Sequence, residues 1–133
     1  MRLIAAALIA CLATPLLAAE PLDGAAFEAR VIGQTFSFQV GGQSYGAEQY
    51  LPGRRVIWAF SDGPCREGTW SEPEPGRICF VYDHAPDDPQ CWSFFDDDGR
   101  LRARFQGGLP QDDLIEARRS PAPLACPGPD LGA

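Results

Sequence analysis

Cys91-Trp92-Ser93-Phe94-Phe95-Asp96-Asp97-Asp98-Gly99-Arg100-Leu101-Arg102-Ala103-Arg104-Phe105 carries two strand signatures and the turn between them. Leu101, Ala103 and Phe105 alternate with Arg100, Arg102 and Arg104, the period of two that puts apolar side chains on one face of a strand and polar ones on the other. Asp98-Gly99 supplies the positive φ that a tight hairpin turn requires. The preceding run, Cys91 to Phe95, is bulky enough for a second, more buried strand.

The same rhythm extends outward in both directions. Phe36, Phe38 and Val40 alternate with Thr35, Ser37 and Gln39, and Gly41-Gly42 turns the chain. Tyr45 to Leu51 ends at Pro52-Gly53; Val56, Trp58 and Phe60 end at Ser61-Asp62-Gly63-Pro64; Arg66 to Ser71 ends at Pro73-Glu74-Pro75-Gly76. Arg77 to Asp83 is nearly all apolar, the composition of a strand covered on both sides. His84-Ala85-Pro86-Asp87-Asp88-Pro89 is expected to be a loop, and Asp113 to Arg118 an eighth strand or a short helix. Turn residues every eight to twelve positions, with no helical run between strands, predict a mainly β fold. It is an antiparallel meander of seven or eight strands, forming a small barrel or a strongly coiled sheet. One short helix precedes it over Asp23 to Gly33, with Asp23 as its cap and Gly33 as its stop. Trp58, Trp70, Trp92, Phe36, Phe38, Phe80, Phe94 and Phe105 make up the expected core, each contributing roughly 2–3 kcal/mol on burial.

The N-terminus has a different character. Arg2, the apolar run Leu3 to Ala13, Thr14-Pro15 and the small pair Ala18-Ala19 read as a secretory signal peptide over residues 1–19. The run is short for a membrane span, and no second one follows. This divides the chain into a leader, a β domain over 20–119 and a Pro-rich irregular tail over 120–133. The expected location is periplasmic or secreted. Leu8-Ile9-Ala10-Cys11 also resembles a lipoprotein cleavage box, which would anchor the protein through Cys11. The apolar segment running on to Leu17 argues against that cut.

Removal of the leader leaves four cysteines, Cys65, Cys79, Cys91 and Cys126, an even set that reads as two disulfides in an exported chain. Three pairings exist. Cys79–Cys91 is favoured because neighbouring strands carry the two residues, and Cys65–Cys126 would then tie the tail to the body. Chain entropy assigns about 3 kcal/mol to the short loop and about 4 to the long one. No Cys-x-x-Cys occurs to support thiol exchange.

Gly68-x-Trp70, Gly76-Arg77-Ile78-Cys79-Phe80 and Cys91-Trp92 together resemble small bacterial exported proteins of a family of unknown function. So does the short helix ending in glycine, Phe27 to Gly33 before Thr35-Phe36. The resemblance spans roughly residues 23–106, implies an exported β domain and carries no catalytic residue across; Cys65 and Cys126 are outside its pattern.

The formal charge is −7, with 18 acids against 11 Lys plus Arg, and no lysine at all. Nucleic acid and anionic lipid both require a basic face and are excluded as partners. Arg100, Arg102 and Arg104, about 7 Å apart along one strand face, could form a rail for an anionic ligand or acidic partner, or pair with acids across the sheet. His84, the only histidine, lies among Asp83, Asp87 and Asp88. A hydrolase would need it beside a nucleophile such as Ser93, yet no Gly-x-Ser-x-Gly elbow presents one. A lone His with oxidised cysteines makes no zinc site. Asp96-Asp97-Asp98-Gly99 lacks the terminal Glu of a calcium loop, that position falling on Phe105. No cofactor, metal or catalytic residue is assigned. The preferred expectation is an exported, non-catalytic module that binds a partner protein or a small ligand, at the open end of a barrel. A small hydrolase using His84 and nearby carboxylates, and a structural accessory of the envelope, are the alternatives.

Overall fold

A computed structural model describes residues 10–126. Residues 1–9 of the expected leader and 127–133 of the expected tail, with Pro127 and Pro129, lie outside it. The helix α1 (Gly24–Val31) is followed by β1 (Thr35–Val40), β2 (Gln43–Leu51), β3 (Arg55–Phe60) and β4 (Arg66–Glu74). Then come β5 (Arg77–Tyr82), β6 (Ala85–Asp97), β7 (Arg100–Phe105) and β8 (Leu114–Ser120). Each strand pairs antiparallel with its neighbours in sequence, and β8 pairs back onto β1, with Thr35 opposite Ser120, so the meander closes into an eight-stranded barrel. Closure leaves no sheet edge.

Local chemistry accounts for the turns. Gly41 and Gly42 (φ +56° and +79°) close β1 onto β2, and Asp98 and Gly99 (φ +52° and +91°) close β6 onto β7, the double positive φ of a type I′ hairpin. The Asp96 carboxylate accepts the Gly99 N–H at 2.7 Å. This acidic run is a turn.

Strand bounds depart from the expected ones at the prolines. The segment read as a loop, 84–89, belongs largely to β6, in extended backbone. Between Tyr82↔Ala85 and Phe80↔Gln90 the register slips, so Pro86 and Pro89 sit in a bulge where no ladder N–H is needed. Pro73 likewise lies within β4 at a shift between Ser71 and Glu74. Of the segment 113–118, Leu114 onward is strand, running to Ser120 with Leu114 and Glu116 facing inward and buried, while Asp113 ends the turn before it.

The helix plugs one end of the barrel. Asp23 caps it by accepting the Ala26 N–H at 2.8 Å, and Gly33 ends it at φ +73°. Phe27, fully buried, points into the barrel against Phe94 (ring centroids 4.3 Å), Trp70 (5.2 Å) and Tyr50 (5.6 Å). Glu72 ties helix to barrel by accepting from the N–H groups of Gly24 and Gly76. Arg30 binds the Asp96 carboxylate and the Gly99 carbonyl of the β6–β7 turn. The chain joins the barrel at Leu22, whose N–H donates to the Phe94 carbonyl at 2.7 Å. Before that point Leu12, Leu16 and Leu17 are at least 90% exposed and pack on nothing.

Both favoured disulfides are present, Cys79–Cys91 between directly opposed residues of β5 and β6, and Cys65–Cys126. After β8 the tail crosses the outside of β1 and β2: the Thr35 hydroxyl donates to the Ala122 carbonyl, and the Leu124 N–H donates to the Gln49 side chain. Cys126 then fastens this strap to Cys65, just before β4.

Candidate functional site

The end opposite the helix stays open. The β3–β4 and β5–β6 connections form its rim, and behind them lies a cavity of about 340 Å³. Its walls are aromatic: Tyr45, Trp58, Phe60, Tyr82 and Trp92. Sequence assigned Trp58 and Trp92 to the core; they are only partly buried and pack against it from the cavity side. Phe105 is likewise 42% exposed, with its edge against Trp92 at 5.0 Å. Tyr45, Trp58 and Phe60 form a mutually packed trio with centroids 5.3–5.9 Å apart.

Two glycines create the space these rings occupy. A Cβ on Gly46 would stand 2.6 Å from the Trp58 indole, and one on Gly68 would stand 2.8 Å from the Tyr82 ring. Each bare strand position therefore lets a large side chain lie flat along the barrel wall.

Beneath the aromatic walls sits Glu48, pointing inward from the middle of β2 and 2% exposed. Both of its carboxyl oxygens lie 3.1 Å from the Tyr82 hydroxyl, which has one proton and so satisfies one of them at a time. No arginine reaches it among the described residues. Desolvation pushes its pKa up to about 8, with the Tyr82 hydrogen bond opposing. Burial, together with Glu48 itself, raises the Tyr82 and Tyr50 phenols. Glu48 also borders an inner void of about 40 Å³, against Trp58 and Trp92, the two rings that this void shares with the larger cavity.

His84 lines the rim of the mouth beside Asp88, with its ring 6.2 Å from Tyr82. Ser93 does not join it; that serine lines a surface depression with Pro21 and Arg104. The arginines at 102 and 104 do face one way, and acids hold both. Arg104 grips Asp113 through Nε and Nη2 at 2.8 and 2.7 Å. Arg102 joins Asp113 at 3.0 Å and Asp97 at 2.7 Å, with its guanidinium 4.4 Å above the Phe95 ring. The Arg104 hydrogen bond foremost holds the Asp113 carboxyl below its ordinary range. Arg100 is exposed at the turn. Among the described residues no cluster of His, Cys, Asp and Glu is arranged to hold a metal, and no helix is long and apolar enough to cross a membrane.

Glu48 went unnoticed in the sequence. Its one signal is a charged residue in phase with Gly46 and Tyr50 on a strand flanked by aromatics. No family model matches the chain, and no curated protein or solved structure matches it either.

Proposed function

We propose that this chain is the precursor of an exported, non-catalytic binding domain that holds a small molecule in the open mouth of its barrel. The observation that carries this reading is the cavity of about 340 Å³ walled by Tyr45, Trp58, Tyr82 and Trp92. A concave, mostly apolar site of this size with a few polar groups is the usual form of a small-molecule pocket. An eight-stranded barrel is also wide enough to hold one small ligand where its own side chains leave room. Export to the periplasm or beyond is supported by the two disulfides and by the described leader residues Leu12, Leu16 and Leu17, which stand exposed, off the barrel.

A surface rail for an acidic partner has less support, because Asp97 and Asp113 already engage Arg102 and Arg104. The hydrolase reading lacks a nucleophile near His84: among the described residues no serine, threonine or free cysteine lines the mouth.

Ala85→Trp tests the binding reading by filling the mouth from the rim of β6. An environment-sensitive apolar dye is titrated against the processed, oxidised protein. The parent is expected to bind it and the variant to lose at least tenfold in affinity, with thermal stability kept. Equal dye binding by both proteins would place any binding outside the barrel.

A further inference from the structure

An aromatic enclosure with a single buried carboxyl beneath it is a chemically specific arrangement. Indole and phenol rings present electron-rich faces that attract a positive charge, most strongly where water is excluded. Four such rings, Tyr45, Trp58, Tyr82 and Trp92, wall the mouth. Glu48 stands behind them, hydrogen bonded to Tyr82 and separated from the mouth by the shared rings Trp58 and Trp92. An acid taken this far out of water keeps its proton unless a cation stands beside it; no arginine of the described barrel does.

We infer that the occupant of the mouth is a small organic cation, an ammonium or substituted ammonium group seated against Trp58, Tyr82 and Trp92 with Glu48 as its counter-charge. This rests on the mouth being a ligand site, and it adds the sign of the ligand's charge. The positive side chain at the mouth, Arg66, is exposed on the rim, where Asp88 also stands. The rim is therefore mixed in sign, while behind the inner wall formed by Trp58 and Trp92 the charge is that of Glu48.

The pairing has a pH signature. The ionisable groups facing Glu48 are Tyr82 of β5 and Tyr50 of β2, with Tyr45 of β2 beyond, near Tyr82. Phe38 of β1, Trp58 of β3, Trp92 and Phe94 of β6, Ala103 of β7 and Leu114 of β8, which share its void, carry no charge. Arg66, His84 and Asp88 are at the rim. A cation favours the ionised acid, so below about pH 8 its arrival drives the Glu48 proton into solution, and affinity rises with pH.

Three probes of one shape separate charge from fit: choline, the neutral 3,3-dimethylbutan-1-ol and the anionic 3,3-dimethylbutanoate. They are titrated by tryptophan fluorescence and calorimetry against the full processed domain, alongside the apolar dye used above. We expect choline to bind at least tenfold tighter than the alcohol, a gap within the reach of cation–π and ionic attraction. Its affinity should rise between pH 6 and 8, with proton release seen as a buffer-dependent heat. Glu48→Gln should abolish the preference and the pH dependence; dye binding by that variant shows that the barrel is folded. Equal binding of choline and the alcohol, tighter binding of the anion, or dye binding with no choline binding would each overturn the cation while leaving the pocket standing. If neither dye nor probe binds, the pocket reading falls as well.

Discussion

Replacing Glu48 by glutamine should make the protein more stable at neutral pH and leave it nearly unchanged in mild acid. The native state holds the Glu48 proton up to about pH 8, while the ordinary carboxyl releases it near 4.5. Between those values the unfolded chain binds fewer protons than the folded one, so stability falls as pH rises. One pKa unit corresponds to about 1.4 kcal/mol, which sets a ceiling of about 5 kcal/mol by pH 8. That is a large fraction of the 5–15 kcal/mol typical of a domain. In the variant the amide oxygen still accepts from Tyr82, and no charge remains to be desolvated. Urea unfolding followed by tryptophan fluorescence, with the disulfides intact, measures both proteins from pH 5 to 8.5. The parent should lose several kcal/mol across this range and the variant much less, so the two curves diverge upward in pH. Parallel curves would refute the argument, since they would mean that Glu48 ionises in the folded barrel as readily as in water.

Other substitutions probe the remaining supports. Phe27→Ala removes the ring that the helix inserts among Tyr50, Trp70 and Phe94; a loss of about 3–5 kcal/mol is expected, read as a lower urea midpoint, and a loss below 1 would show the plug to be dispensable. Asp113→Asn takes away the charge and one of the two carboxylate oxygens that Arg102 and Arg104 share and should cost about 2 kcal/mol at pH 7. Because that carboxyl is held below its ordinary range, its contribution is present above the range and disappears as pH falls through it; parent and variant should converge in acid melts. The double change Cys65→Ser with Cys126→Ser opens a loop whose ends are 61 residues apart, worth about 4 kcal/mol of chain entropy. Denaturant unfolding of the double variant should show most of that loss, and an unchanged midpoint would mean that the strap holds without its covalent link.

The barrel was legible because its strands repeat one device, an alternating stretch ended by residues that turn. Both disulfides were legible for a related reason, since neighbouring strands placed Cys79 opposite Cys91 and left Cys65 for the tail. Proline misled the reading at Pro86 and Pro89, where a bulge excuses the missing N–H and the backbone stays extended. The candidate site was far less visible. Trp58 and Trp92 have the spacing of core residues, and whether a ring inside a barrel meets other rings or an opening depends on what faces it across the interior. Gly46 and Gly68 decide that, and a glycine within a strand does not say which ring it makes room for. Glu48 is a common residue at an ordinary spacing; only closure of the sheet takes it out of water. His84 and the three arginines attracted notice as local patterns, and the acids that hold Arg102 and Arg104 include Asp113, which lies beyond the next turn.

The seam between β1 and β8 has a bearing on how the chain reaches this shape. Thr35 must find Ser120, so the opening strand waits for nearly the whole sequence to be synthesised before its second neighbour exists. Until then one flank of β1 offers bare amide and carbonyl groups to any passing strand, a standing invitation to mispair. Such distant pairing also slows the search for the native arrangement. The seam is thus the most distant pairing in the barrel, and the strap from Ser120 to Cys126 lies across the strands beside it.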